Sequence, residues 1–309
     1  MSKLNFKFFK KSKTEIIEPP LKTKQIQFGK YFLTTDLDHP LSIYLEEFPL
    51  YDQFLPQICS NFSGLIIDVG ANIGDTLLSV FEKNDESFLI AVEPDDEFAE
   101  NCLLNIEQNN LPKRVLLVKK FISSKKGNFV IEKNKSASTG SIKEDKDLGN
   151  SNSLSFSELM DLIPYERKQN LDIIKIDTDG FDWDILNSYS EMVNSKPENK
   201  FRFIYFEFQN FLNNENNSMS ERQDKDEKYK KALENLLKTG YDTFTVFDNF
   251  GTKLITTKTI SEILVFSDYI TRSKIYNNYS TIYHLDILVY NSIETEFVNE
   301  QLKLYLEKN

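Results

Sequence analysis

One short stretch, residues 64–76, constrains the fold of this chain more than any other. It begins with an apolar, β-branched run at residues 65–67, which predicts a buried strand. Two glycines, Gly70 and Gly74, then mark a turn, and apolar residues recur at helical spacing through Phe81. A strand, a glycine turn and a helix in this order let a ligand approach the backbone amides at a helix start. We therefore expect a binding site at this turn.

Strand and helix patterns alternate along most of the 309 residues. Further apolar runs predict buried strands at 88–92, 115–121, 171–177 and 201–208. Such alternation is typical of an α/β fold with a mostly parallel sheet and helices on both faces. A late run at 283–290 follows a hairpin-like segment, so we expect that strand to be antiparallel.

The patterns divide the chain into three parts. Residues 1–24 form a basic tail that we expect to be flexible. Residues 25–62 form an extension with one short strand at 25–34 and one helix at 41–62. Residues 63–309 form the main domain. Within it, the polar stretch at about 209–228 has few apolar residues and predicts an exposed insertion or lid.

The positive charge is concentrated in the tail. Residues 1–24 hold seven Lys and two Glu, a net charge of +5, whereas the whole chain carries −11, so the rest carries −16. The negative charge of residues 25–309 would repel nucleic acid, which proteins bind through Lys and Arg. The tail lysines are interleaved with Phe6, Phe8 and Phe9 and offer at most weak contact with an anionic membrane surface. A solvated terminus is the simpler interpretation.

Two further features bear on the cellular compartment. No segment approaches the roughly 18 consecutive apolar residues of a membrane span, and no apolar run follows the N-terminal lysines as in a secretory signal. Cys59 and Cys102 form no metal or disulfide pattern, which fits a reducing compartment. We therefore expect a soluble, cytoplasmic protein; nothing in the sequence indicates its oligomeric state.

Acidic residues flank the glycine turn in a way that indicates a nucleoside-containing cofactor. Asp68 lies on the strand two residues before Gly70, where it can accept hydrogen bonds or pair with a cation. Glu93 ends the next predicted strand, where an acid can bind the hydroxyls of a ribose. The turn itself has G-x-x-x-G spacing and not the G-x-G-x-x-G of nicotinamide and flavin sites, which disfavours an oxidoreductase.

A second polar cluster follows the strand at 171–177, in the segment I-K-I-D-T-D-G-F-D at 174–182. Strand alternation places Lys175 and Asp177 on one face. Asp177 then lies at the carboxyl end of a strand, where open α/β sheets bind ligands. An acidic start of a helix explains Asp182 without any function, but it does not explain Lys175 and Asp177.

These segments together resemble the FkbM family of S-adenosylmethionine-dependent methyltransferases. The resemblance rests on D-V-G-A-N-I-G at 68–74, V-E-P at 92–94 and I-K-I-D-T-D-G at 174–180, and it spans roughly residues 60–210. It implies a Rossmann-like class I methyltransferase sheet. This chain departs from the family in having Asp179 and Asp182 where Glu is usual and Phe181 where a small residue is usual, which would narrow the site.

The resemblance implies S-adenosylmethionine as cofactor and assigns residues to it. The turn from Gly70 to Gly74 would contact the methionine part, Glu93 the ribose, and Asp95 and Ser123 the surroundings of the adenine. The full set of expected cofactor-binding residues is Asp68, Gly70, Ala71, Asn72, Gly74, Asp75, Thr76, Glu93, Asp95 and Ser123.

Family members mostly methylate hydroxyl groups, and a sugar hydroxyl benefits from a nearby base. Asp177 is the first candidate base and Asp179 the second, with Lys175 as an orienting or charge-balancing partner. We expect no metal, because closely spaced carboxylates at a helix start are common without one; a divalent ion on Asp177, Asp179 and Asp182 is the alternative. The remaining candidates have simpler structural explanations: His39, His284 and Glu207.

The sequence therefore predicts a methyltransferase that acts on a sugar hydroxyl of a glycan or glycoconjugate. A small-molecule or polyketide acceptor is the first alternative. A nicotinamide-dependent oxidoreductase and a non-catalytic cofactor-binding protein are less favoured. The segments expected to define the acceptor are the least patterned ones, so its identity stays open.

Overall fold

The computed structural model describes residues 23–133, 140–145, 152–210, 218–277 and 280–307. The strands of these residues are β1 (Thr23–Phe28), β2 (Tyr31–Asp36), β3 (Leu65–Val69), β4 (Phe88–Val92), β5 (Val115–Val118), β6 (Phe121–Ile122), β7 (Phe129–Lys133), β8 (Gly140–Glu144), β9 (Ser153–Leu154), β10 (Leu171–Ile176), β11 (Phe203–Phe208), β12 (Thr243–Asp248), β13 (Lys253–Thr257) and β14 (Leu285–Tyr290). The helices are α1 (Leu41–Glu47), α2 (Phe54–Cys59), α3 (Asp75–Lys83), α4 (Asp96–Gln108), α5 (Phe156–Leu162), α6 (Asp182–Ser195), α7 (Met219–Lys238), α8 (Ile260–Asn277) and α9 (Thr295–Glu307).

The central sheet has eight strands in the order β13-β12-β14-β11-β10-β3-β4-β5. The run from β11 to β5 is parallel throughout. The late strand β14 lies between β11 and β12 and is antiparallel to both, as the sequence predicts. The α/β architecture with a mostly parallel sheet is therefore confirmed.

Apolar side chains pack on both faces of this sheet, as expected for strands that are buried on both sides. One core lies under α5, α6, α7 and α8 and contains Ile67, Ile174 and Phe206. The other lies under α2, α3, α4 and α9 and contains Ile66, Ile173 and Tyr205. Because side chains alternate along a strand, Asp68 and Lys175 share this second face.

The extension differs from its prediction. The strand expected at 25–34 is a hairpin of β1 and β2, which turns at Gly29 with φ +54°. The single helix expected at 41–62 is wrong, since α1 and α2 are separate helices. Pro49 explains the break: a residue before proline is disfavoured in the helical region, and Phe48 is extended with φ −123° and ψ 89°. The chain between the helices passes through Asp52, whose φ is +52°.

Three other predictions can be compared with the structure. The strand expected at 115–121 ends at Val118, and β6 leaves the sheet to pair with β9. Helix α7 begins at Met219 behind a capping box of Ser218 and Glu221, inside the stretch expected to form a lid. Residues 1–22 of the basic tail and 211–217 of that stretch lie outside the described residues, so the tail, the lid and the domain limits stay predictions.

Within the described residues, no helix is both long and apolar enough to cross a membrane. What matters for function is the edge of the sheet where the parallel strands end. The carboxyl ends of β3, β4, β10 and β11 meet there, and β14 begins there because it is antiparallel. Asp68 pairs with Lys175 and Lys175 with Tyr205 across neighbouring strands, and Glu207 pairs with Asp286.

Candidate active site

The glycine turn passes very close to the end of the neighbouring strand. Gly70 has φ +82° and Gly74 has φ +89°, a region that favours glycine. A Cβ on Gly70 would lie 1.8 Å from the backbone oxygen of Asp177, so no larger residue fits there. The amides of Gly70 and Ala71 donate to the carbonyl of Val92 at 2.9 and 3.1 Å, which fixes the turn beside β4.

The turn leads directly into helix α3. Asn72 adopts φ +46°, and Gly74 precedes the first helical residue, Asp75, without a side-chain cap. Asp75 and Thr76 thus form the first turn of the helix, where backbone amides point towards the sheet edge. Burial raises the pKa of Asp75, against the opposing charges of Lys175 and His39. This first turn offers amide donors and a carboxylate to a ligand that carries both signs of charge.

A buried lysine lies under the turn. The Nζ of Lys175 is 3.0 Å from Oδ1 of Asp68 and 3.3 Å from Oδ2 of Asp177, and it donates to the carbonyl of Gly70 at 3.1 Å. Burial alone would lower the pKa of Lys175, but the charges of Asp177, Asp68 and Asp75 raise it well above its ordinary value. Lys175 is therefore a permanent cation that links the ends of β3 and β10.

The carboxylate of Asp68 has few hydrogen-bond donors around it. Its side chain is only 1 % exposed, and apart from the 3.0 Å ion pair with Lys175 neither carboxylate oxygen has a hydrogen-bond donor among the described residues. Burial raises the pKa of Asp68 to about 6, although Lys175 opposes the shift. A buried carboxylate with so few donors is costly unless a ligand supplies more.

Glu93 connects the turn to the next strand. Its Oε2 accepts a hydrogen bond from the amide of Asn72 and its Oε1 from the amide of Asp95, both at 2.9 Å. Burial raises the pKa of Glu93 to about 7, despite these two donors. Asp95 in turn caps helix α4 by accepting from the amides of Glu97 and Phe98. Both acids therefore have structural partners, which the sequence did not predict.

Ser123 lies in a separate hydrogen-bonded group. It is buried, and its hydroxyl donates to Oδ2 of Asp184 at 2.7 Å. The amide and the hydroxyl of Ser124 also donate to this carboxylate, in the first turn of α6. The Ser123 hydroxyl thus joins the segment after β6 to α6.

A cleft opens beside Lys175 and encloses about 380 Å³, including the solvent space at its mouth. Eight of the ten side chains that line it carry a hydroxyl or a charged group, and Leu55 and Ile176 are the two apolar members. The polar lining consists of Asp52, Thr76, Ser79, Lys175, Asp177, Tyr205, Glu207 and Asp286. The cleft therefore adjoins the glycine turn, the start of α3 and the extension at once.

The acids of this cleft differ in proton affinity. The side chain of Asp177 is 51 % exposed, and its partial desolvation would raise its pKa, but the charges of Lys175 and His284 outweigh this and lower that pKa below its ordinary value. Burial and the charge of Asp177 raise the pKa of Glu207 well above its ordinary value. Burial does the same for Asp286, against the charge of His284. Asp177 is therefore the carboxylate most firmly ionised of the three.

The remaining predicted acids lie in the turn after β10. Asp179 has φ +52° and Gly180 has φ +90°, and neither lines the cleft. Asp182 is buried and accepts a hydrogen bond from the hydroxyl of Thr178 at 2.9 Å, while burial raises its pKa well above the ordinary value. Within the described ranges, no three acidic, histidine or cysteine side chains are grouped as a metal site requires.

The sequence does not predict two of the cleft residues, Asp52 and Asp286. Asp52 enters the cleft only because Pro49 interrupts the predicted helix, and Asp286 only because β14 inserts beside β11. For Asp286 a signal exists: it is an acid within an apolar strand, on the same face as His284. For Asp52 we find no such signal.

An α/β sheet with a glycine turn, an acid at the end of the next strand and a charged cleft at one edge is compatible with a methyltransferase of class I. The Methyltransferase FkbM domain matches residues 68–243, more than half of the chain. The protein therefore belongs to the FkbM methyltransferase family and is an S-adenosylmethionine-dependent methyltransferase.

Solved structures of methyltransferases resemble the chain distantly. Precorrin-6y C5,15-methyltransferase from Geobacter metallireducens GS-15 is 11 % identical, with a TM-score of 0.37 over 78 % of this chain and 86 % of that one. The plantazolicin methyltransferase BamL, in complex with a triazolic desmethylPZN analog and SAH, is 12 % identical, with a TM-score of 0.42 over 82 % and 87 %. Curated protein sequences give no match. The family match alone carries the assignment.

Proposed function

We propose that this enzyme transfers the methyl group of S-adenosylmethionine to a hydroxyl group of a carbohydrate or glycoconjugate. The observation that carries the proposal is the lining of the cleft, in which carboxylates and hydroxyls outnumber apolar side chains. Carboxyl and hydroxyl groups accept hydrogen bonds, and a sugar presents many hydroxyl donors close together. An apolar polyketide would leave these acceptors without donors.

The cofactor fits the turn on chemical grounds. Asp68 is a buried carboxylate whose one close donor among the described residues is Lys175, and the methionine part of the cofactor carries an ammonium group. Gly70, Ala71, Asn72 and Gly74 would hold this part with Asp75 and Thr76. When bound, the cofactor supplies an electrophilic methyl group on a sulfonium.

The residues assigned to the nucleoside part are Glu93, Asp95 and Ser123. Each oxygen of Glu93 accepts one backbone hydrogen bond and has a second lone pair, so it can also accept from a ribose hydroxyl. Asp95 and Ser123 follow β4 and β6, on the side of the turn where the adenine would extend. Their bonds to α4 and α6 would hold the chain in place around it.

The residues assigned to catalysis position the acceptor. Asp177 is firmly ionised, so it would accept a hydrogen bond from a hydroxyl of the sugar and help to hold the reacting oxygen in line with the methyl group. Lys175 keeps Asp177 in place through the 3.3 Å ion pair. Asp179, the second candidate, would act from the following turn. A carboxylate with a lowered pKa is a weak proton acceptor, so Asp177 orients better than it deprotonates.

Calorimetry with S-adenosylmethionine and with its demethylated product tests the cofactor site. Both should bind to the wild-type protein, and Asp68→Asn and Glu93→Gln should each weaken binding by at least tenfold. Glu294→Gln, a carboxylate change at the opposite edge of the sheet, is the matched control and should bind normally. Absence of binding by the wild-type protein would refute the assignment of the cofactor site.

Transfer of a labelled methyl group tests the acceptor. The label should enter a cell-surface glycan or glycolipid fraction from cells that lack the protein, and Asp177→Asn should reduce turnover more than cofactor affinity. Incorporation only into an apolar small-molecule fraction would contradict the carbohydrate assignment.

A further inference from the structure

His284 lies immediately before β14, at the same sheet edge as the cleft. The amide of the preceding Tyr283 donates to Oδ1 of buried Asn249 at 2.8 Å, which fixes the chain at this point. Two residues later, Asp286 lines the cleft and pairs with Glu207 of β11. Strand alternation places His284 on the same face as Asp286, diagonally opposite Glu207.

The imidazole of His284 is held by a buried carboxylate. Its Nδ1 lies 2.8 Å from Oε1 of Glu207, which is only 7 % exposed in its side chain, whereas the side chain of His284 is 25 % exposed. Gln209 also donates to the same oxygen, at 3.3 Å. The closeness of Nδ1 to this oxygen favours the tautomer with its proton on Nδ1, and it leaves Nε2 as the ring nitrogen that can accept a proton.

Three further acidic groups lie near this pair. They come from the end of β10, from β14 and from the segment before α2, and they are Asp177, Asp286 and Asp52. The charge of His284 affects the pKa of each of them, so these groups are within electrostatic range of the imidazole.

We propose that His284, oriented by Glu207, is the general base that removes the proton of the acceptor hydroxyl. The proposal rests on the function proposed above, since it assumes that the acceptor is a hydroxyl. The acceptor oxygen forms a bond to the methyl carbon while the bond from that carbon to sulfur breaks, and its electron pair stays on sulfur. The proton of the hydroxyl moves to Nε2 of His284 and later leaves to solvent.

In this assignment the two sides of the cleft have different roles in the reaction. Asp177, ionised beside Lys175, accepts a hydrogen bond from a second hydroxyl of the acceptor and so orients it, because the reacting hydroxyl has only one proton to donate. His284 takes the proton, and Glu207 holds the imidazole as a positioning residue.

Nitrogen NMR of the histidine side chains tests the geometry without any acceptor. The chain has only two histidines, so His39→Gln assigns both signals. In the wild-type protein, neutral His284 should carry its proton on Nδ1. Glu207→Met removes the acceptor and should shift the tautomer towards Nε2–H, whereas Glu207→Gln keeps an acceptor oxygen and should preserve Nδ1–H. A wild-type Nε2–H tautomer would overturn the proposal.

Methyl transfer to the glycan fraction tests the catalytic role. His284→Gln should lower the rate of label transfer by at least about 100-fold, the range of general base catalysis, with cofactor affinity unchanged within about twofold. A rate within threefold of the wild-type value would refute the role of His284. If the wild-type protein labels no carbohydrate, the acceptor proposed above is wrong. The NMR measurement still tests whether Glu207 sets the tautomer of His284.

Discussion

Strand β10 carries a charged cluster near each end, and the two clusters differ in how well their charges are satisfied. At the amino end, Arg202 donates to Glu294 at 3.1 and 2.8 Å and lies 3.7 Å from Asp172. At the carboxyl end, Lys175 contacts Asp68 and Asp177. Both clusters join neighbouring strands, so their position in the sheet does not explain the difference.

The amino-end cluster has the features of a structural ion pair. The guanidinium of Arg202 makes two parallel hydrogen bonds to one carboxylate, the geometry for which arginine is suited. It also lies 5.1 Å from the ring centre of Phe203 and 5.4 Å from that of Phe297. Asp172 accepts a further bond from the amide of Gly64 at 2.7 Å. These charges need no ligand.

The carboxyl-end cluster is unbalanced in comparison. The one lysine is surrounded by the charges of Asp68, Asp177 and Asp75, and within the part of the chain that the structure describes Asp68 has no donor besides this shared lysine. Such an arrangement lowers stability in the absence of a ligand and gains a donor when a cationic ligand binds. The two clusters thus differ less in charge or burial than in the number of partners available to each charged group. Too few partners mark the functional cluster at the carboxyl end.

Removal of the lysine should give the largest effect. Lys175→Met leaves Asp68 and Asp177 without their cation, and breaking a buried pair in this way costs about 3–5 kcal/mol. Urea denaturation should therefore show a loss of this size in the free energy of unfolding, together with loss of cofactor binding. Adding Asp68→Asn to Lys175→Met should restore part of the stability. A loss below about 1 kcal/mol would mean that the cluster is not a coupled unit.

Replacement of Asp68 should have an intermediate effect on the free energy of unfolding, opposite in sign to that of Lys175→Met. The folded pKa of Asp68 is about 6, above its ordinary value of 3.8, so the folded state holds this proton more tightly than the unfolded state. The stability contributed by Asp68 is thus complete below about pH 4 and is lost as pH rises through about 6. For a shift of this size the loss is about 3 kcal/mol.

Asp68→Asn should therefore stabilise the cofactor-free protein by about 1–3 kcal/mol at pH 8 and leave it nearly unchanged at pH 4. Urea denaturation at the two pH values measures the difference. The same variant should bind S-adenosylmethionine more weakly, since the carboxylate that would pair with the ammonium is gone. Equal destabilisation at both pH values would show that Asp68 is already satisfied in the free protein.

The sequence predicts one side of the functional cluster well. Lys175 and Asp177 lie on one strand, and their shared face follows from alternation alone. Asp68 comes next to them because β3 and β10 are neighbours in a parallel sheet, which the order of strands and helices favours. The register of β3 against β10, which brings Asp68 opposite Lys175, is decided by packing on both faces and leaves no trace in a local pattern.

The other side of the cleft depends on contacts between distant parts of the chain. Glu207, His284 and Asp286 meet because β14 inserts between β11 and β12, and nothing within the late strand encodes which neighbours it selects. Asp52 reaches the cleft through a break at Pro49 in a segment whose apolar residues match helical spacing throughout. Apolar periodicity reports which side of an element is buried, but it does not report which element covers that side.

The structural cluster should give the smallest effect, and this result would complete the comparison. Glu294→Gln removes the charge from the bidentate contact but leaves an oxygen that can accept one hydrogen bond from Arg202. The side chains of Arg202 and Glu294 are 42 % and 18 % exposed, so solvent screens the pair. Partly exposed pairs contribute at most about 1 kcal/mol. We therefore expect urea denaturation to show a loss of no more than about 1 kcal/mol, with cofactor affinity unchanged. A loss as large as that of Lys175→Met, or any loss of cofactor binding, would show that the two ends of β10 act as one network. The number of partners of each charged group would then not distinguish the two clusters.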